Sequence, residues 1–160
     1  MLSAIPAPHL VTLLEMGRQR FLHGLDCVPD DRLTHSPGGN AHTPLALAGR
    51  LAGFIDHRAR VLASAPGEQV SRSTPVVPET RNDAETLVNL AFISLTSALE
   101  GLSDADLERT ITMPWGAEMS LGAMLLTSVN VIGYFQGQLN YCQLSYGDTD
   151  PNIPPSWRPA

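Results

Sequence analysis

The fold turns on the stretch NVIGYFQGQLNYCQ, Asn130 to Gln143. Its apolar residues return at helical spacing, with Val131, Ile132, Phe135, Leu139 and Cys142 on one side. Among them stand uncharged amides, Asn130, Gln136, Gln138, Asn140 and Gln143, but no His, Glu or Lys. A helix this apolar faces a core, yet it brings no imidazole, carboxylate or amine to serve as acid, base or metal ligand. Followed backwards, the same stripe takes in Leu121, Met124, Leu125 and Ser128 and starts at a capping hydroxyl, Ser120; it ends at Gly147.

Three further segments share the 3.6-residue period. The first spans about Pro8 to Leu25, with Leu10, Leu13, Leu14, Gly17, Phe21 and Leu25 on one stripe. The second opens at Thr43-Pro44, where the hydroxyl caps a free backbone N–H and proline at the first helical position gives up a donor that had no partner. It runs to about Ala63, before Pro66-Gly67. A third, capped by Asn82 or Asp83, runs through Leu87, Leu90, Phe92, Leu95 and Leu99 and stops near Gly101.

The links between these segments set the topology. APGEQVSRSTPVVPETRN, between the second and third helices, is long, proline-bearing and aperiodic, which suits an extended crossover rather than a hairpin. The other two links match each other: LDCVPDDRL from Leu25 repeats in LEGLSDADL from Leu99, aligning Asp30 with Asp104 and Leu33 near Leu107. The expected architecture is all-α, a four-helix bundle of two similar helix pairs with a long crossover between helices 2 and 3. No strand competes, because prolines bound the only β-rich stretch, Thr74 to Val77. Residues 1–160 form one domain in this reading, with 147–160 a non-helical, proline-rich tail in which Trp157 is a candidate anchor. Trp115 is expected in a turn that folds over the bundle end.

Composition narrows the function classes. A net charge of −6, with ten arginines and no lysine scattered along the chain, gives no cationic footprint for nucleic acid and leaves room only for a local arginine patch. No run approaches the roughly 18 apolar residues of a membrane span, and Pro6 and Pro8 interrupt the start before a signal-like core forms, so a cytoplasmic protein is expected. Cys27 and Cys142, outside any ligand-spaced cluster, fit reduced thiols rather than a zinc site. Cys142 lies in the core stripe, and Cys27 has Asp26 beside it, the wrong charge for a reactive thiolate.

The hydroxyl-capped second helix, the matching links and a last helix ending in Gly137-Gln138-Leu139 and Gly147 resemble the DinB-like superfamily over nearly the whole chain. That superfamily includes damage-inducible proteins and thiol-dependent transferases. The resemblance implies a homodimer and a divalent metal held by three histidines, one on the second helix and two at i and i+4 on the fourth, a spacing that puts two imidazoles on one helical face. Carried over by register, those positions are Gly49, Val131 and Phe135, and none can bind a metal. The expectation is a scaffold with no metal, no cofactor and no catalytic residues, in which Phe135 packs toward Gly49 with Val131 beside it.

Asp56, His57, Asn130, Tyr134 and Gln138 are the candidates for a remaining pocket or polar seam, with Gln138 bonded to an adjacent helix and Asn140 and Gln143 on another face. The function that follows is a non-catalytic small-molecule-binding or stress-associated protein. Two alternatives stand beside it. One is a transferase or hydrolase that uses a metal through unconventional ligands, or a thiol cofactor. The other is a protein-interaction module working through the fourth helix and the tail.

Overall fold

The computed structural model describes residues 5–65, 68–113 and 116–158. Trp115, expected in a turn, lies outside them. Four long helices form the body: α1 (Ala7–Asp26), α2 (Pro44–Ala63), α3 (Arg81–Glu100) and α5 (Leu121–Ser145), with a single-turn α4 (Asp104–Leu107) before the last. α1 packs on α3 and α5, and α2 packs on the same two, which puts α1 across the diagonal from α2.

Named contacts fix the directions. The buried Gln143 donates to the Gly24 carbonyl at 3.3 Å, so the C-terminal ends of α1 and α5 lie together. The thiol of Cys142 reaches the His42 carbonyl just ahead of α2, and Arg81 at the start of α3 donates to the carbonyls of Leu25 and Val28. One end of the bundle therefore gathers the C-termini of α1 and α5 and the N-termini of α2 and α3; we call it the upper end. Adjacent helices that both descend, α2 and α3, need a connection that returns the whole length of the bundle, which a hairpin cannot provide.

The crossover makes that return along α2 itself. Arg60 donates to the Ser71 carbonyl and the Ser73 hydroxyl, Pro75 lies against Gly53, and Val76 and Pro78 lie against Gly49. The core between the helices is mostly aliphatic, with the aromatic Phe21 and Phe92 its largest wholly buried side chains. The two matching links have a common build: Leu25 and Leu99 are buried at the helix ends, and Leu33 and Leu107 are buried beyond them. In each, the next helix is tied back by a backbone bond, Leu45 N–H to Leu33 and Leu121 N–H to Arg109.

Several details differ from the sequence expectation. The cap of α3 is Thr80, whose hydroxyl accepts from Asp83 N–H while the Asp83 carboxylate accepts from Thr80 N–H; Asp83 completes a capping box rather than acting as cap. Leu90 faces solvent. A two-stranded antiparallel sheet, β1 (Thr110–Thr112) with β2 (Glu118–Ser120), precedes α5, and strands of three residues are too short to show alternation. The tail forms one 3₁₀ turn, Pro155–Trp157, and is held by Arg20 donating to the Pro151 and Asn152 carbonyls, with Asn152 buried and Trp157 exposed. The arginine, not the tryptophan, is the anchor.

Candidate functional site

Near the upper end, the loop before α2 and the facing halves of α2 and α5 enclose a recess of ≈ 390 Å³ lined by His42, Arg50, Tyr134, Phe135, Gln138 and Tyr141, among others. Phe135 is almost wholly buried at its base, and the Tyr134 ring meets it edge-on with centroids 6.0 Å apart. Gly49 does not face this recess. The atoms nearest a Cβ built there are the Val76 carbonyl oxygen at 1.9 Å, its carbon at 3.0 Å and Pro78 Cδ at 3.1 Å. The volume beside Gly49 is thus filled by the crossover, where packing by Phe135 was expected, and the α2 residue that shares the recess with Phe135 is Arg50.

Val131, one turn before Phe135, is half-buried against the core. Glycine, valine and phenylalanine offer no donor atoms, and among the described residues no three His, Cys, Asp or Glu side chains stand close enough together to hold a metal ion. The residues present do not fit the three-histidine centre.

The five seam candidates do not converge. Tyr134 and Gln138 line the upper recess, while Asn130 is exposed on α5. Asp56 pairs with Arg60 at 2.9 Å one turn along α2. His57 is buried at the other end of the bundle. The interhelical amide expected of Gln138 is supplied by Gln143 to α1, and Gln136, buried where Gly24 leaves room for it, donates to Asn140 at 2.8 Å. Both thiols are raised, Cys142 by burial and Cys27 by burial and then Asp26, Asp148 and Asp150, so neither is primed as a nucleophile.

A larger cavity, ≈ 940 Å³, opens at the lower end between the last turns of α2, the first part of the crossover and the small sheet. Its walls mix apolar side chains, Val61, Val70, Ile111 and Met124, with His57, Arg58, Arg72 and Arg109. His57 and Arg58 are buried, and His57 Nδ1, Arg58 Nε and Arg109 Nε are enclosed without a hydrogen-bond partner. The guanidinium of Arg58 lies 4.8 Å over the Phe54 ring. The sequence reading missed this arginine cluster. Its signal was positional: Arg58 falls three residues after Ile55 and four before Leu62, at an inward register of α2 where a charge needs a reason.

Burial lowers the pKa of His57, and Arg58, Arg72 and Arg60 push the same way against the opposing Asp56. The folded chain therefore keeps His57 neutral to a lower pH than the unfolded chain, whose imidazole takes up a proton near pH 6.5. The unfolded state binds more protons below that value, so this contribution to stability is full above about pH 6.5 and is lost as the pH falls. Urea midpoints measured between about pH 7.5 and 5.5 should decline more steeply for the wild type than for His57→Gln; parallel curves would show that the imidazole is protonated equally in both states.

The sequence matches the DinB superfamily over residues 13–130. That span is most of the chain, and the chain is a member of that superfamily. A conserved protein from Enterococcus faecalis superposes with a TM-score of 0.71 at 14% identity, covering 88% of this chain and 96% of that one. A DinB-like protein from Bacillus subtilis superposes at 0.68 and 16% identity, covering 89% and 94%. At these identities the likeness is one of fold. No curated protein matches the sequence. Among the described residues, no helix is long and apolar enough to cross a membrane.

Proposed function

We propose that this DinB-superfamily chain is a non-catalytic binding protein for a small organic molecule, works without a metal ion and acts as a homodimer. The observation that carries the reading is the lower cavity. Its ≈ 940 Å³ is in the range of sites for drug-sized ligands, and buried polar atoms without partners stand in its wall. A cavity with no binding role tends toward an apolar lining, because each orphaned polar group costs free energy. Carbon side chains at positions 131 and 135, with Arg50 and not a ligand sharing the recess from α2, support the absence of a metal. Superfamily membership alone ties such a role to stress.

The dimer rests on α5. Leu126, Gly133, Gly137, Tyr141 and Leu144 lie exposed along one side of a helix without a charged residue, and among the described residues nothing from outside the helix's own neighbouring backbone comes within 4 Å of a Cβ built at Gly133 or Gly137. Two such faces can approach closely across a twofold axis. Purification without added metal, followed by elemental analysis and light scattering, tests both parts. Less than a tenth of an equivalent of transition metal (roughly), together with twice the chain mass, is expected. A full equivalent of zinc, iron or nickel would remove the metal-free reading, and a monomer at micromolar concentration would remove the dimer.

A further inference from the structure

Three arginines reach the lower cavity from three different elements. Arg58 comes from α2, Arg72 from the crossover and Arg109 from the residue before β1. Two of them are held in place. Arg58 is stacked on Phe54 one turn earlier, and the backbone of Arg109 is fixed by accepting from Leu121 N–H at 2.9 Å at the start of α5.

Carboxylates do not offset them. Among the described residues none of the three forms a salt bridge. Asp56, the nearest acid in sequence to Arg58, is engaged by Arg60. Glu68 also lines the cavity, with one carboxylate oxygen accepting from Ala65 N–H at 3.1 Å. Three guanidinium groups against one carboxylate leave a net positive chamber in a protein whose overall charge is −6.

Arg58 is 5% exposed and donates no hydrogen bond among the described residues. A guanidinium whose Nε is enclosed without a partner, and which is largely removed from water near a second guanidinium, is costly unless an anion arrives to pair with it. Burial and the facing Arg72 bring Arg58 down to about 10, so it still carries its charge at neutral pH. The planar fork suits a two-oxygen acceptor, and Val61, Val70, Ile111 and Met124 beside it suit a hydrocarbon.

We infer that the lower cavity takes an organic oxyanion, a carboxylate or phosphate head on an apolar body, with the head held by Arg58, Arg72 and Arg109 and the body against the small sheet and the first turns of α5. This rests on the reading of the chain as a binding protein and names the class of its ligand. Buried Arg58 supplies the geometry, and exposed Arg72 closes over the head.

Isothermal titration and thermal unfolding of the full chain with decanoate, decyl phosphate, 1-decanol and inorganic phosphate test it. Decanoate or decyl phosphate should bind and raise Tm, with the tighter of the two naming the head group, while 1-decanol and inorganic phosphate should bind at least about tenfold more weakly. Arg72→Gln, on the exposed rim where folding is not at risk, should weaken the anion at least about tenfold. Arg58→Met should abolish binding yet raise the Tm of the ligand-free protein, because it removes a buried charge that no carboxylate pairs, while a methionine can keep the contact with Phe54. Equal binding of decanol overturns the oxyanion class and leaves the binding-protein reading standing. Wild-type affinity in both arginine variants overturns the site, and no binding by any probe overturns both this class and the reading beneath it.

Discussion

Gly49→Ala should destabilise the protein by about 3 kcal/mol, lowering Tm by roughly 6–12 °C. The first added atom would stand 1.9 Å from the carbonyl oxygen of Val76, which is backbone and cannot swing aside as the tip of a side chain can. Either the crossover lifts from α2 or the helix moves, and the helix is fixed by Leu47, Ala48 and Leu51, all buried. Alanine in place of a helical glycine normally gains up to about 1 kcal/mol, so the steric cost must exceed that gain for the sign to be as stated. Gly53 supplies the control. It lies one turn along the same face, where a Cβ would meet Pro75 at 3.7 Å, an ordinary contact, and Gly53→Ala should be neutral or slightly stabilising. Urea unfolding of the two variants side by side decides the matter: equal midpoints would mean that the crossover does not bear on α2 at Gly49. Because Val70, Ser71 and Arg72 of the same segment wall the lower cavity, Gly49→Ala should also weaken ligand binding there, with Arg58 about 13 Å of helix away by its rise of 1.5 Å per residue.

Much of this arrangement was legible because helix ends carry their own chemistry. Thr43-Pro44 and Ser120 are caps in the structure, accepting from Ala46 N–H and Ala123 N–H, and Gly147 adopts φ +92°, a conformation that glycine tolerates. The crossover was legible from its prolines and its length. What escaped depends on neighbours distant in sequence. Thr80 and Asp83 both look like caps, and only their reciprocal bonds separate the roles. Gln143, not Gln138, reaches α1 because Gly24 is the residue opposite, a pairing across 119 positions that no local pattern reveals. Positions 49 and 50 differ by about 100° around the helix axis, which is the difference between lying under the crossover and facing α5. The arginine cluster is the extreme case, since Arg58, Arg72 and Arg109 belong to three segments that only the fold brings to one cavity.

That one-residue rotation yields the other large expected effect. Histidines introduced together by Arg50→His, Val131→His and Phe135→His should bind zinc or nickel at one ion per chain, at least about a hundredfold tighter than the wild type. Positions 131 and 135 are one turn apart on α5 and share a face, and position 50 lines the same recess as Phe135 from the opposing helix. Removing the Phe135 ring clears the base of that recess, and the loop carrying Asn40 to His42 leaves its mouth open for water. The version counted from the helix cap, with Gly49→His in place of Arg50→His, should fail differently: its imidazole would be driven into the Val76 carbonyl, so the chain should unfold at a lower temperature and gain no site. Titration against a competing chelator with parallel thermal unfolding distinguishes the two. If the variant at position 49 folds and takes up the ion while that at position 50 does not, then α2 is rotated from the arrangement described, and Arg58, on the same rigid helix, would no longer be placed to point into the lower cavity.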